Sequence, residues 1–187
     1  MKFIKRWGLM RNTSAENISE HSLQVAMVSH ALALLHNERV ASDEGAALLN
    51  PERVALLALF HDADEVITGD LPSPIKYFNP AVREAVAGIA DVARDKLLAM
   101  VPPLLRAHYQ PLLVPAASEA AAWQVVKHAD KICAYLKCVE EQKMGNREFE
   151  RAEAVIERSL RELGDPDVNH FIELYLPSFR LTLDELN

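Results

Sequence analysis

The chain has 187 residues, 50% hydrophobic and 25% charged, with six Gly, ten Pro and two Cys, a composition that excludes a disordered, fibrous or disulfide-built protein and describes a single globular domain over 1–187. At this size roughly 70% of the surface of the unfolded chain is buried on folding, so a core forms without a metal or cross-link, and any metal serves function. With 20 Lys and Arg against 27 Asp and Glu, a net charge of -7, no bulk attraction draws the chain to a nucleic acid polymer, and a small anionic substrate needs a local basic site.

The start, Met1-Lys2-Phe3-Ile4-Lys5-Arg6-Trp7, is basic and aromatic but lacks the apolar stretch and cleavage site of a secretion signal, so the mature chain is expected to begin here. No apolar run of about 18 residues is present to span a membrane, and the cytoplasm is the expected compartment. Apolar residues recur at helical spacing almost throughout, without the strict alternation of half-buried strands, and the chain reads as all-α. Ser19 is the expected cap of a first helix reaching about His36, apolar on nearly every side and therefore central. Asn50-Pro51 opens a second, with a capping Asn and a Pro where its missing N–H costs nothing; it carries Val54, Leu57, Ala58 and Phe60 into His61-Asp62.

A loop over 68–74, stiffened by Pro72 and Pro74, follows as a binding element. Asn79-Pro80 starts a helix to about Met100, which Pro102-Pro103 ends before a shorter segment over 104–113. Ser118-Glu119 begins a long helix through Val126, Ala129, Ile132, Leu136 and Val139, closed by Gly145-Asn146. A helix over 148–163 stops at Gly164, and Asp165-Pro166 opens a last one to Leu176, before Pro177 and a short tail over 183–187. Cys133 and Cys138 lie five apart, about 140° around one helix, so they cannot pair and read as two buried thiols.

Four side chains stand out in otherwise apolar helical segments: His21, the adjacent His61-Asp62, and Asp130. Two imidazoles and two carboxylates suit one divalent Mn, Fe, Co, Ni or Zn ion, and in octahedral geometry they leave two positions open for water or substrate. Adjacent helical residues point about 100° apart, so His61 and Asp62 can share an ion only beyond the end of their helix. A His-Asp dipeptide alone reads equally as a core histidine beside a helix-end aspartate. The acidic run Asp62-Ala63-Asp64-Glu65, the polar loop from Thr68, and the cost of lone charges in apolar helices favour a shared partner. Glu65, three residues past Asp62, faces the same side if the turn persists, placed either to hold or deprotonate a water or to protonate a leaving oxygen.

Each supporting residue has a plainer reading. Trp7 fits a core aromatic, Arg6 a solvated charge, Lys76 a surface residue, and Asp70 an Asx turn into Leu71-Pro72. His30 and His128 point away from the four-residue set, and Glu140-Glu141 with the charges over 147–158 read as a solvated helical face.

The order His21, His61-Asp62, Asp130 resembles the H…HD…D signature of the HD-domain phosphohydrolases. More closely, Arg6-Trp7-x-Leu9-Met10-Arg11-Asn12, Glu20-His21-Ser22, His61-Asp62-Ala63-x-Glu65-Val66-x-Thr68-Gly69-Asp70-Leu71-Pro72-x-Pro74-x-Lys76-Tyr77-Phe78, Lys127-x-Ala129-Asp130, Ala134-Tyr135-Leu136-Lys137-Cys138 and Leu176-Pro177-Ser178-Phe179 resemble the bacterial 5'-deoxynucleotidases of that superfamily. The resemblance covers nearly the whole chain. It implies a single HD-domain helical bundle with a central buried metal site, assembled as a homodimer, that uses one divalent ion to remove the phosphate from deoxyribonucleoside 5'-monophosphates.

By position, the resemblance makes His21, His61, Asp62 and Asp130 the metal ligands and Glu65, Arg6 and Asp62 the catalytic group. Arg6, Trp7, Asp62, Asp70, Leu71, Pro72 and Ser73 would contact the nucleotide, with Trp7 closing against the sugar where a 2'-hydroxyl would be buried unpaired. Asp64 departs from the family pattern by adding an acid beside the site. Two other readings stay open: another HD-domain phosphohydrolase acting on a cyclic or hyperphosphorylated nucleotide, and a non-catalytic nucleotide-sensing helical module.

Overall fold

A computed structural model describes residues 1–186; the last residue of the expected tail, Asn187, lies outside the described residues. Helix α1 (Ile18–Val40) is capped by Asn17, whose side chain accepts the N–H groups of Ser19 and Glu20 while the Glu20 carboxylate reaches back to the Asn17 N–H. Ser19 is therefore not the cap but lies inside the first turn, because Asn17 with Glu20 three residues on completes a reciprocal pair. The helix also runs one turn past His36. Helix α2 (Pro51–Phe60) starts at Asn50 as expected.

The expected loop over 68–74 is shorter than its sequence suggests. Two single turns, α3 (Glu65–Thr68) and α4 (Ser73–Lys76), bracket it. Gly69 holds φ at +72°, a conformation open to glycine, and redirects the chain between them. Helix α5 (Pro80–Met100) has Asn79 as its cap, and the 3-10 turn Pro103–Leu105 leads into α6 (Arg106–Leu113). The turn Ala117–Glu119 precedes α7 (Ala120–Lys143), and Arg147–Phe149 precedes α8 (Glu150–Glu162).

Helix α9 (Pro166–Arg180) is capped by Asp165 and passes through Pro177, rather than ending at Leu176. Pro177 forfeits one ladder hydrogen bond, while Leu176 and Phe179 on either side of it pack against the core and hold the last turn in place. No strand occurs among the described residues, as expected of an all-α chain.

The core lies where α1, α2 and α7 meet, with α8 packed on α7 and α9 packed across both α1 and α7. Val25, Leu32, Leu57, Val126, Ile132 and Leu160 are almost wholly withdrawn from water there. Helix α5 stands apart, packed on α3, α4 and α6 with Ala93 as its buried residue.

The N-terminal segment doubles back beside the start of α1. Lys5 bridges Asn17, the Arg6 N–H donates to the Glu16 carbonyl at 3.0 Å, and the Ile18 N–H donates to that of Ile4 at 3.1 Å. This segment also corrects the expectation that Glu140-Glu141 faces solvent, since Glu141 is fully buried. Glu141 accepts the main-chain N–H groups of Thr13 and Ser14 at 2.8 and 3.0 Å, bonds the Asn146 amide at 2.7 Å and pairs with Lys137. The face of α7 that looks solvated in sequence is covered by chain more than 120 residues away. The charged residues over 147–158 do lie exposed or half-exposed, and Cys133 and Cys138 are buried free thiols. Burial pushes both thiols up, Cys138 to about 12, so neither is a nucleophile at neutral pH.

Candidate active site

Three helices deliver the four expected ligands to one place. His21 comes from the first turn of α1, Asp130 from the middle of α7, and His61-Asp62 from just beyond Phe60, where α2 has ended. Ligand atoms of His21, His61 and Asp62 lie within 4.8 Å of one another. The Nε2 atoms of His61 and His21 are 3.1 and 3.6 Å from Asp62 Oδ2. Asp130 Oδ1 adds contacts of 3.0 Å to His21 Nε2 and 4.0 Å to His61 Nε2. Donors each about 2.1 Å from one ion lie about 3 to 4 Å from each other, which is this spacing.

The His61 imidazole is oriented to offer its inner nitrogen to a cation. His61 Nδ1 sits 2.7 Å from the Ala58 carbonyl, which can only accept, so the ring proton belongs on Nδ1 and the Nε2 lone pair faces inward. Both His21 Nε2 and His61 Nε2 are buried without a hydrogen-bond partner. Buried polar atoms are nearly always satisfied, and two unpartnered imidazole nitrogens beside two carboxylates fit a borderline divalent cation.

The field of the acids favours positive charge at this point. Burial works against a charged His61, but Asp62 and then Asp130 outweigh it and push the ring up to about 9. His21 is raised in the same way, burial being overcome by Asp130 and Glu16. Asp62 and Asp130 are held below the usual carboxylate range despite burial, Asp62 mainly by the His61 charge and Asp130 by His21.

Arg6 reaches the same place from the N-terminal segment. Its side chain is 13% exposed, so it is not a solvated charge. Nη1 lies 3.0 Å from Glu16 Oε2 and 2.7 Å from His21 Nδ1, and Nη2 lies 3.7 Å from Asp130 Oδ1. Trp7, at a left-handed φ of 60°, is half-buried. Its indole N–H donates to Glu16 Oε2 at 3.2 Å, its ring packs on Phe149 at 5.3 Å, and its main-chain N–H donates to Asp70 Oδ2 at 3.2 Å. Asp70 thus ties Trp7 to the loop after α3. Leu71 and Pro72 follow it half-buried, and Ser73 is exposed at the start of α4.

The turn that links Asp62 to Glu65 persists, the Glu65 N–H donating to the Asp62 carbonyl at 3.1 Å. Glu65 is buried, with Oε1 taking a hydrogen bond from Lys76 at 2.9 Å and Oε2 buried without a partner. Burial and then the Asp62 charge push it up to about 7, against the pull of Lys76. Lys76 is accordingly committed to Glu65. Asp64 lies 3.9 Å from Arg94 on α5, whose charge offsets part of the upward push of burial on this acid. His128 pairs with Asp165 at 3.2 Å, away from the four-residue set.

Sequence reasoning missed Glu16. It joins the group because the chain folds back over 5–17, and its single local signal is an acid placed two residues ahead of α1 in a segment that must return Arg6 to His21.

Comparison with known proteins identifies the family and the fold. The family model described as 5'-deoxynucleotidase YfbR-like matches residues 1–179. A 5'-deoxynucleotidase of Erwinia tasmaniensis is 49% identical over all of this chain and 92% of its own length. One of Vibrio parahaemolyticus is 48% identical over all of this chain and 94% of its own. An HD-domain phosphohydrolase of Listeria innocua has the same fold, with a TM-score of 0.75 at 21% identity, over 94% of this chain and 82% of that one. The cyanophage S-2L HD phosphohydrolase, solved with dA and one catalytic Zn2+ ion, gives a TM-score of 0.62 at 22% identity, over 96% of this chain and 92% of that one. The chain has the helical HD-domain fold and belongs to the YfbR-like 5'-deoxynucleotidase family.

Proposed function

We propose that this protein, a single domain over 1–187, hydrolyses deoxyribonucleoside 5'-monophosphates to deoxyribonucleosides and phosphate, using one divalent ion held by His21, His61, Asp62 and Asp130. The observation that carries this reading is the pair of buried, unpartnered Nε2 atoms facing two carboxylates, with a mostly covered arginine alongside. The 5'-deoxynucleotidase relatives and the cyanophage protein with its nucleoside and zinc support it. When bound, a divalent ion supplies Lewis acidity toward phosphoryl oxygens and makes water a nucleophile near neutral pH.

The remaining steps fall to side chains. Arg6 presents a planar fork that matches phosphate oxygens and holds the phosphorus in line for attack. Asp62 serves as ligand and charge at the reacting face. Glu65, pushed up to about 7 with Oε2 free of protein partners, can take the proton of the attacking water or give one to the leaving 5' oxygen. Trp7 closes against the deoxyribose, and Asp70, Leu71, Pro72 and Ser73 border the nucleoside. A ribose 2'-hydroxyl pressed against the indole would lose water without gaining a partner, which selects against ribonucleotides.

The active species is a homodimer. The exposed apolar side chains Met27 of α1 and Tyr175 of α9 border an apolar groove of about 390 Å³, a surface a second copy can cover. Among the described residues no helix is long and apolar enough to cross a membrane, and a cytoplasmic setting keeps the two free thiols reduced. Phosphate release from paired dAMP and AMP, with Mn2+ or Co2+ added, tests the activity. Release from dAMP at a kcat/KM well above that for AMP is expected. Equal values overturn the deoxy selection, and no release from any deoxynucleotide with any divalent ion makes the protein a nucleotide-binding module instead.

A further inference from the structure

The two imidazoles of the site differ in what stands behind them. His61 has the Ala58 carbonyl at Nδ1, whereas His21 has two side chains there, Arg6 Nη1 at 2.7 Å and Glu16 Oε1 at 3.6 Å. A neutral imidazole carries one proton, and a ring that offers Nε2 to a cation must carry it on Nδ1. That N–H needs an acceptor. A guanidinium has none, so of the two neighbours Glu16 alone qualifies. Glu16 is 7% exposed, and its other oxygen, Oε2, accepts from Arg6 Nη1 at 3.0 Å and from the Trp7 indole at 3.2 Å.

We propose that Glu16 is a positioning residue joining the two halves of the active site: one oxygen holds His21 in the metal-binding tautomer, and the other aims Arg6 and Trp7 at the substrate. This rests on the function proposed above. The contact between Arg6 Nη1 and His21 Nδ1 is attractive only while Nδ1 offers a lone pair. With the proton on Nδ1 two donors face one another, and Arg6 leaves the ring, keeping Glu16 Oε2 as its anchor and turning its free N–H groups toward a phosphate. Metal loading and phosphate binding are then coupled through one carboxylate, and by linkage each strengthens the other.

Glu16→Gln separates this role from simple packing. The amide has nearly the shape of the carboxylate but one acceptor oxygen, so it can serve His21 or the Arg6-Trp7 pair and must point an N–H at the other. Zn2+ affinity, measured by competition with a chromogenic chelator, is expected to fall about 10- to 100-fold, and KM for dAMP to rise. A role confined to packing would lower the melting temperature and leave the Zn2+ affinity of the folded protein unchanged. In 15N spectra of Zn2+-loaded wild-type protein, the His21 ring is expected to carry its proton on Nδ1 with the downfield shift of a hydrogen bond to a carboxylate.

Affinity of folded E16Q within twofold of wild type overturns the proposal, and so does lost affinity with unaltered KM. Should E16Q fail to fold, the wild-type spectrum decides: an unprotonated His21 Nδ1 overturns the proposal, and a carboxylate-bonded Nδ1–H upholds it. Wild type that releases no phosphate from any deoxynucleotide with any divalent ion would overturn the proposed function alone, since the chelator and spectroscopic readouts need no substrate.

Discussion

The Trp7 main-chain N–H donates to Asp70 Oδ2 at 3.2 Å, tying the N-terminal segment to the loop between α3 and α4. The two stretches proposed to enclose the nucleotide are therefore fixed to each other before any ligand arrives, which lowers the entropy lost on binding. Removal of the acceptor in Asp70→Ala is expected to raise KM for dAMP about tenfold, the worth of one hydrogen bond to a charged group. Asp70→Asn retains an acceptor oxygen and should stay within about threefold of wild type. Steady-state kinetics on both variants check this, and equal losses in the two would show that the charge matters rather than the tether.

Glu65→Gln should bind metal as wild type does and lose activity. General acid-base groups contribute about 100-fold or more, and Glu65 is not one of the four proposed ligands and has Oε2 free of protein partners. The expected result is a kcat lowered at least about 100-fold at unchanged metal content. A kcat near wild type would remove Glu65 from the proton-transfer role.

The buried Glu141 makes acid stability a test of how the N-terminal segment is held. Burial alone would raise its pKa, but Lys137, the Thr13 N–H, the Asn146 amide and the Ser14 N–H bring it down to about 2. A folded-state pKa below the unfolded value means that this group's stabilisation is complete above about pH 4.5 and is lost as the pH falls toward about 2. The shift corresponds to roughly 3 kcal/mol. Urea unfolding of wild type and Glu141→Gln should differ by about that much at pH 7 and converge as the pH falls from about 4.5 to about 2. A difference that stays constant across that window would deny the ionised carboxylate its part.

What was legible in the sequence was local. Asn50-Pro51, Asn79-Pro80 and Asp165-Pro166 each place a capping side chain and a Pro within one turn, and each starts a helix in the structure. The four expected ligands stood out because a charge in an apolar helix needs a partner, and the structure does bring His21, His61, Asp62 and Asp130 together. Glu16 carries almost no signal in the sequence and Glu141 reads there as solvated, because both owe their burial to the fold-back of residues 5–17 across α1 and α7, a contact with no local periodicity. Ser19 was misread for Asn17 because either residue caps well and only the reciprocal bond from Glu20 separates them. Pro177 looked like a stop because its cost is local, while the packing of Phe179 that outweighs it is not.

The central claim is that two rings and two acids, drawn from separate helices, share one cation. Mn2+ titration of apo wild-type and Asp130→Ala protein, followed by electron paramagnetic resonance of the free ion, tests it most directly. One ion per wild-type chain, with affinity lost about 100-fold or more in the variant, is the predicted result. Asp130→Ala protein that is folded and binds Mn2+ as tightly as wild type would contradict it.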